Sequence, residues 1–165
     1  MLNVEKINAP HLHYAFECRD AAGNLKWADE FDNLVTTAGL NYILATGSVA
    51  AVAAYMGLVD GGTTPTFAAA DVITSHAGWT ENTDYTQAAR GTIAYSAASG
   101  GSMSTSAAVQ FSINATATIA GGFSVSDSTK GGTTTGTIYS EGAFTGGNKA
   151  VASGDTLSVS LTLSV

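Results

Sequence analysis

The stretch Asp155-Thr-Leu-Ser-Val-Ser-Leu-Thr-Leu-Ser-Val165 alternates Leu157, Val159, Leu161, Leu163 and Val165 with Ser158, Ser160, Thr162 and Ser164 without a break. Successive side chains on an extended strand point to opposite faces, so strict alternation of aliphatic and hydroxyl residues reads as a β-strand with one face buried. The rest of the chain must supply the other side of the core on which those aliphatic residues rest.

Outward from that strand, the punctuation is that of an all-β domain. Glycine pairs at Gly61-Gly62, Gly100-Gly101, Gly121-Gly122, Gly131-Gly132 and Gly146-Gly147 are expected to make turns, and short alternating runs lie between them. The expected strands are Leu12 to Cys18, Leu25 to Phe31, Ala53 to Val59, Thr92 to Tyr95, Ala108 to Ile119, Gly122 to Ser126, Gly136 to Tyr139 and Asp155 to Val165. The first two form a hairpin that turns at Asp20 to Asn24, with Gly23 at positive φ. Strands in this number and of this length predict a two-sheet antiparallel sandwich of jelly-roll or Greek-key type, in preference to an up-and-down barrel. A chain of 165 residues suits a single domain, residues 1–165, and buries roughly 70% of the surface its unfolded form exposes.

No residue from Leu34 to Val59 is charged, and a run of that length is long enough to span a bilayer. Thr36, Thr37, Gly39, Asn41, Thr46, Gly47 and Ser48 make it too polar and too flexible for a membrane helix, so no membrane association is expected. The pattern instead predicts one short helix over Thr37 to Thr46, capped by Thr36 or Thr37 and stopped by Gly47. Leu40, Ile43 and Leu44 would share one of its faces.

Thirteen acidic residues against six Lys and Arg give a net charge of −7. The cations are scattered at Lys6, Arg19, Lys26, Arg90, Lys130 and Lys149, so a phosphate backbone would be repelled and direct nucleic-acid binding is not expected. No basic segment followed by an apolar run precedes His11, so no secretion signal is expected and a cytosolic site of synthesis fits. The single Cys18 has no disulfide partner and alternates with Leu12, Tyr14 and Phe16, which makes it a core thiol rather than a nucleophile.

Three groups of residues have the chemistry of a site. His11, His13 and Glu17 share the outward face of the first strand, but Glu17 would lie about 13 Å from His13 along it, too far for common zinc ligation. Asp29, Glu30 and Asp32 could pair as acid and base, yet they leave a hairpin where a solvated turn is expected. His76 is the remaining base, and no Gly-x-Ser-x-Gly elbow or phosphate loop accompanies it. The expectation is therefore no catalytic residue, no metal ligand and no cofactor.

The polar stretch from Asp71 to Arg90 brings together Trp79, Tyr85 and Arg90. A long loop anchored by two buried aromatics accounts for them, and a sugar-binding surface would use the same residues exposed. Burial separates the two readings.

Several motifs lie in an ordered series: Glu17-Cys-Arg-Asp with Gly23-Asn, Asp32-Asn-Leu-Val-Thr-Thr-Ala-Gly-Leu40, Tyr55-Met-Gly-Leu58, Ser75-His-Ala-Gly-Trp-Thr-Glu81, Phe111-Ser-Ile-Asn-Ala-Thr116 and Gly154-Asp-Thr-Leu157. In this series the chain resembles small virion proteins of tailed bacteriophages, most of all head decoration, or cement, proteins with a jelly-roll fold. Related openings also occur in tail-fibre and tail-tip proteins. The resemblance implies a non-enzymatic role on the outer capsid surface after synthesis in the bacterial cytoplasm. It implies the major capsid protein as partner and self-association as a dimer or trimer. It transfers no catalytic residue. The small-residue run from Gly47 to Ala54 has no counterpart in that pattern. A tail-fibre or tail-tip domain and a carbohydrate-binding module are the alternatives.

Overall fold

A computed structural model describes residues 10–164, so Lys6 and Val165 lie outside the described residues. The alternating stretch forms β12, Thr156–Ser164, with Leu157, Val159, Leu161 and Leu163 buried. Each of those four side chains contributes about 2 kcal/mol by leaving water. On one side β12 pairs antiparallel with β1, His11–Arg19, along its whole length. Its other side is shared end to end by β8, Val109–Ser112, and β7, Ser102–Ser104. The hairpin partner β2, Leu25–Asp32, completes the first sheet beyond β1. Gly23 sits at φ 86° in the hairpin turn, as expected.

The second sheet runs β3 (Leu34–Val35), β10 (Ile138–Ala143), β9 (Ala117–Val125), β4 (Tyr55–Asp60) and β5 (Glu81–Asn82). Here β6, Gly91–Thr92, extends the outer edge of β4, and β11, Lys149–Val151, pairs with the first part of β9. All the pairings are antiparallel. The main core lies between the sheets, where Tyr14 and Phe16 of β1 meet Met56, Leu58, Phe111, Ile119 and the aliphatic row of β12. Tyr14 stacks on Phe31 with ring centroids 4.9 Å apart. The expected all-β sandwich is the observed architecture.

The structure corrects several details. Gly121-Gly122 is not a turn but the middle of β9, and the segment expected to run from Ala108 to Ile119 is broken after Ser112, where the chain crosses between sheets. A Cβ on Gly121 would stand 2.0 Å from the Gly142 carbonyl oxygen. On Gly122 it would meet Phe16 at 2.9 Å. These glycines therefore allow close approach, Gly121 to the paired strand β10 and Gly122 to the inward-facing layer, rather than a reversal. The strand expected at Gly136 starts instead at Ile138, because Gly136 turns at φ 97°. The strand expected from Thr92 to Tyr95 shrinks to β6, with Tyr95 making an isolated bridge to Thr105. In β3, β5, β7 and β11 no strand exceeds three residues, too short for alternation to show.

The helix α1, Thr37–Thr46, has the expected ends: the Thr36 hydroxyl accepts from the Gly39 amide at 3.0 Å, and Gly47 closes it at φ 69°. Its inward face differs from expectation. A Cβ on Gly39 would lie 2.8 Å from the Tyr139 Cα, so the helix presses on β10 at Gly39 and turns Leu44 outward, 86% exposed. A second, four-residue helix, α2 (Val49–Val52), lies in the small-residue run where only one helix was expected, and the strand expected from Ala53 begins at Tyr55. No described helix is long and apolar enough to cross a membrane.

Candidate functional site

The two sheets differ on their outer faces. On the second sheet, Val59, Ala120, Phe123, Val125 and Ile138 form a separate apolar patch beneath residues 61–80, which fold back as a cap. Trp79 of the cap lies over Phe123 with centroids 4.8 Å apart, and Ile73 and Phe67 join it. The His76 ring stacks on Trp79 at 4.1 Å, and its Nδ1 lies 3.1 Å from the Trp79 carbonyl oxygen. Trp79 is 4% exposed and Tyr85 0%. Both are therefore anchors, and neither ring is open to stack on a sugar.

Arg90 is also buried, and its role was not legible in the sequence. Its Nε and Nη2 donate to the two carboxylate oxygens of Glu81 at 3.0 and 2.8 Å, in a forked pair. Nη1 donates to the Asp127 carbonyl at 3.1 Å, and Nη2 also reaches the Gly132 carbonyl at 2.9 Å. The guanidinium lies 5.2 Å from the Phe123 ring centre. A cleft of about 220 Å³ opens between Ile73, His76, Trp79, Glu81 and Arg90. Because four of the five Arg90 donors are engaged by protein oxygens and its charge is paired with Glu81, the pair acts as a brace between cap, β5 and the turn at Asp127 to Gly132 rather than as an anion receptor.

Glu141 is the residue that sequence reasoning missed. It lies in β10, next to Phe123 of β9 and Leu34 of β3, and is 0% exposed. Its neighbour Ser140 points the other way, into the main core, where it meets the Tyr14 hydroxyl and stands 2.8 Å from the Ser124 hydroxyl. Glu141 therefore faces the cap. Neither of its carboxyl oxygens has a hydrogen-bond partner. The Asp71 carboxyl, the Trp79 indole and the Ala68 amide surround it, but both N–H groups donate to Asp71 Oδ2, each at 3.2 Å. Burial and then the adjacent Asp71 push Glu141 up to about 8, although the nearby Ala68 amide and Trp79 indole pull the other way, and this shift favours its protonated form. A charged residue inside a short run of polar and small residues gave no sequence signal of a buried strand.

The residues that looked chemical in the sequence are dispersed. His13 Nδ1 lies 2.9 Å from Asp32 and its Nε2 3.5 Å from Glu30, while Glu17 pairs with Arg19 at 3.1 Å and His11 meets the Ser164 hydroxyl at 2.9 Å. Antiparallel register puts Asp32, not Glu17, opposite His13. Asp29 faces the other way and holds the turn at Thr145 to Gly146, with Lys149 2.9 Å away. Burial opposes charge on Asp29, but Lys149, Thr145 and the Gly146 amide outweigh it and hold the carboxyl below its usual range. Cys18 is fully buried, and burial followed by the nearby Asp155 pushes its thiol up to about 11. Asp155 in turn pairs with Lys26. No group of three or more His, Cys, Asp or Glu among the described residues is placed to hold a metal ion.

The outer face of the first sheet carries no cap from the described residues. Its β1 and β2 half is charged, through Glu17, Arg19, Glu30 and Asp32. Its β12, β7 and β8 half is hydroxyl-rich and uncharged. There the Ser158 hydroxyl donates to Gln110 at 2.9 Å, and Ser104 and Thr162 hydroxyls lie 3.0 Å apart. Short side chains paired within the sheet leave a smooth surface with little conformational entropy to lose on contact. This face is the candidate interaction site. Comparisons of the chain with protein-family models, with curated proteins and with solved structures find no match.

Proposed function

We propose that the protein is a non-enzymatic structural component of a tailed-phage virion. In this reading it binds the outer surface of the assembled head through the uncovered face of its first sheet and stabilises the shell against the pressure of packaged DNA. The observation that carries this reading is the unequal cover of the two sheets. The second sheet spends twenty residues of cap on its outer face, whereas the first leaves an uncharged hydroxyl row along β12 open to another protein surface. The resemblance of the ordered motifs to head decoration proteins supplies the virion context.

The mechanism is linkage. A protein that binds assembled shell and not free subunits favours the assembled state by mass action, and contacts repeated around a lattice act together even when each is weak. Association as a dimer or trimer on a lattice symmetry axis would give each subunit equivalent contacts with the major capsid protein. The open hydroxyl face suits this, because packing small neutral side chains costs little desolvation beside burying charges.

The test is depletion and restoration. Heads lacking the protein are expected to assemble but to lose DNA at lower temperature or on dilution of salt, and added protein should restore them. Ser160→Glu protein, with its charge in the middle of the docking face, should fold normally yet fail to restore. Electron microscopy that places the chain only at the tail, or depleted heads as robust as complete ones, would replace this reading with a tail-fibre or tail-tip role.

A further inference from the structure

We infer that residues 61–80 are latched onto the second sheet by a single proton shared between Glu141 and Asp71, and that loss of this proton releases the cap. The inference starts from an imbalance in hydrogen bonding. Asp71 Oδ2 accepts both N–H groups that point into the site, from Ala68 and Trp79, which makes Asp71 the acceptor of the pair. Glu141, 0% exposed, has no donor left to receive. A buried carboxylate without donors is costly, whereas a carboxylic acid has an O–H to give. The stable arrangement at neutral pH is Glu141 O–H directed at the Asp71 carboxylate, one proton tying β10 to the cap.

The surroundings favour a proton over a metal cation. Two N–H groups aimed at the pair repel a cation, and the pair provides only two carboxyl groups where calcium takes six to eight oxygens. The other titratable or charged groups near Glu141 are few among the described residues. His76 stacks on Trp79 within the cap, Tyr14 approaches β10 from the first sheet, and the Glu81–Arg90 pair sits beyond the Phe123 ring. Strands β3 and β9 present Leu34 and Phe123 beside Glu141. When the O–H bond breaks, the proton passes to solvent and leaves two carboxylates facing each other beneath an apolar cap. Their repulsion is relieved by moving the segment that carries Asp71, since Glu141 is held in the middle of a paired strand. Release uncovers Phe123 and Ile138.

Hydrogen exchange of the full chain at pH 6 and pH 9, corrected for intrinsic rates, tests this. Amides of residues 62–78 are expected to lose at least tenfold in protection at pH 9 relative to amides of β12. In a Trp27→Phe background, Trp79 fluorescence should report the same transition. Glu141→Gln should abolish both responses, because its amide is uncharged and can still donate to Asp71. Asp71→Asn, which keeps an acceptor for the two N–H groups and removes the repulsion, should weaken them. Equal protection at both pH values in the wild type would overturn the latch. So would an unchanged response in both variants, or a response lost in His76→Asn instead. A wild-type response suppressed by millimolar calcium would show that a cation, not a proton, holds the cap.

Discussion

Strands β9 and β12 are both nine residues long and both central to their sheets, yet they present opposite sequence patterns. β12 alternates because one of its faces is buried and the other is wet. β9 is buried from Ile119 to Val125 on both faces, inward against Phe16 and Met56 and outward against Trp79, so its residues follow no period. The difference shows that alternation records solvent on one side of a strand rather than the strand itself. It also separates the sheet covered on both faces from the one whose outer face the described residues leave uncovered.

The sharpest way to break this comparison is Gly121→Val. The new side chain would collide with the backbone of β10, not with a movable side chain, so the loss is expected to exceed about 4 kcal/mol and to prevent folding. A variant that expresses and melts like the parent in urea would show that β9 and β10 do not approach so closely at Gly121.

Leu161→Asp comes next, at about 4 kcal/mol, because it puts a carboxylate into the main core. Arg90→Ala should cost about 3 kcal/mol by leaving Glu81 buried without its partner, and should loosen the cap more than the first sheet. Denaturant melts give both totals, and hydrogen exchange shows where the loss falls.

The pH dependence is smaller near neutrality and has a defined sign. Glu141 has a folded-state value of about 8, against 4.5 for an ordinary glutamate. The folded state therefore holds a proton that the unfolded chain has released. The associated stability is full below pH 4.5, declines as pH rises from there, and is lost above pH 8. Asp29 and Asp155 act oppositely. Each is held below its usual range despite burial, so their contribution is present at neutral pH and lost as pH falls through their lowered values. Thermal melts should show stability falling between about pH 4.5 and 8, a decline that Glu141→Gln removes, while the loss at lower pH remains. Smallest of all is Ser160→Asp, expected within about 0.5 kcal/mol of the parent. Equal losses for Ser160→Asp and Leu161→Asp would mean that both faces of β12 are buried.

The elements legible in the sequence were those with one wet face or a local hydrogen-bonding rule. The first hairpin, the Thr36 cap, the Gly47 stop and β12 all follow from neighbours within a few positions. The interior of the second sheet was not legible, because Gly121-Gly122 serves contacts with residues far along the chain and resembles a turn in isolation. The same holds for chemistry. His11, His13 and Glu17 attracted notice through spacing on one strand, but register gave each a different neighbour. The buried carboxyl of Glu141 acquires its character from Asp71 and Trp79, which only the folded cap brings near.

The pairing of β1 with β12 also constrains how the chain reaches its fold. His11 and Ser164 meet although they lie 153 positions apart, and every register pair between the two strands spans nearly as far. During synthesis the β1–β2 hairpin therefore emerges from the ribosome long before the strand that will cover its open edge. Contacts so distant in the chain close slowly, and an uncovered strand edge invites pairing with another molecule in the meantime. Crowded nascent chains would then compete with β12 for the same edge, and slower synthesis at low temperature should raise the yield of soluble protein.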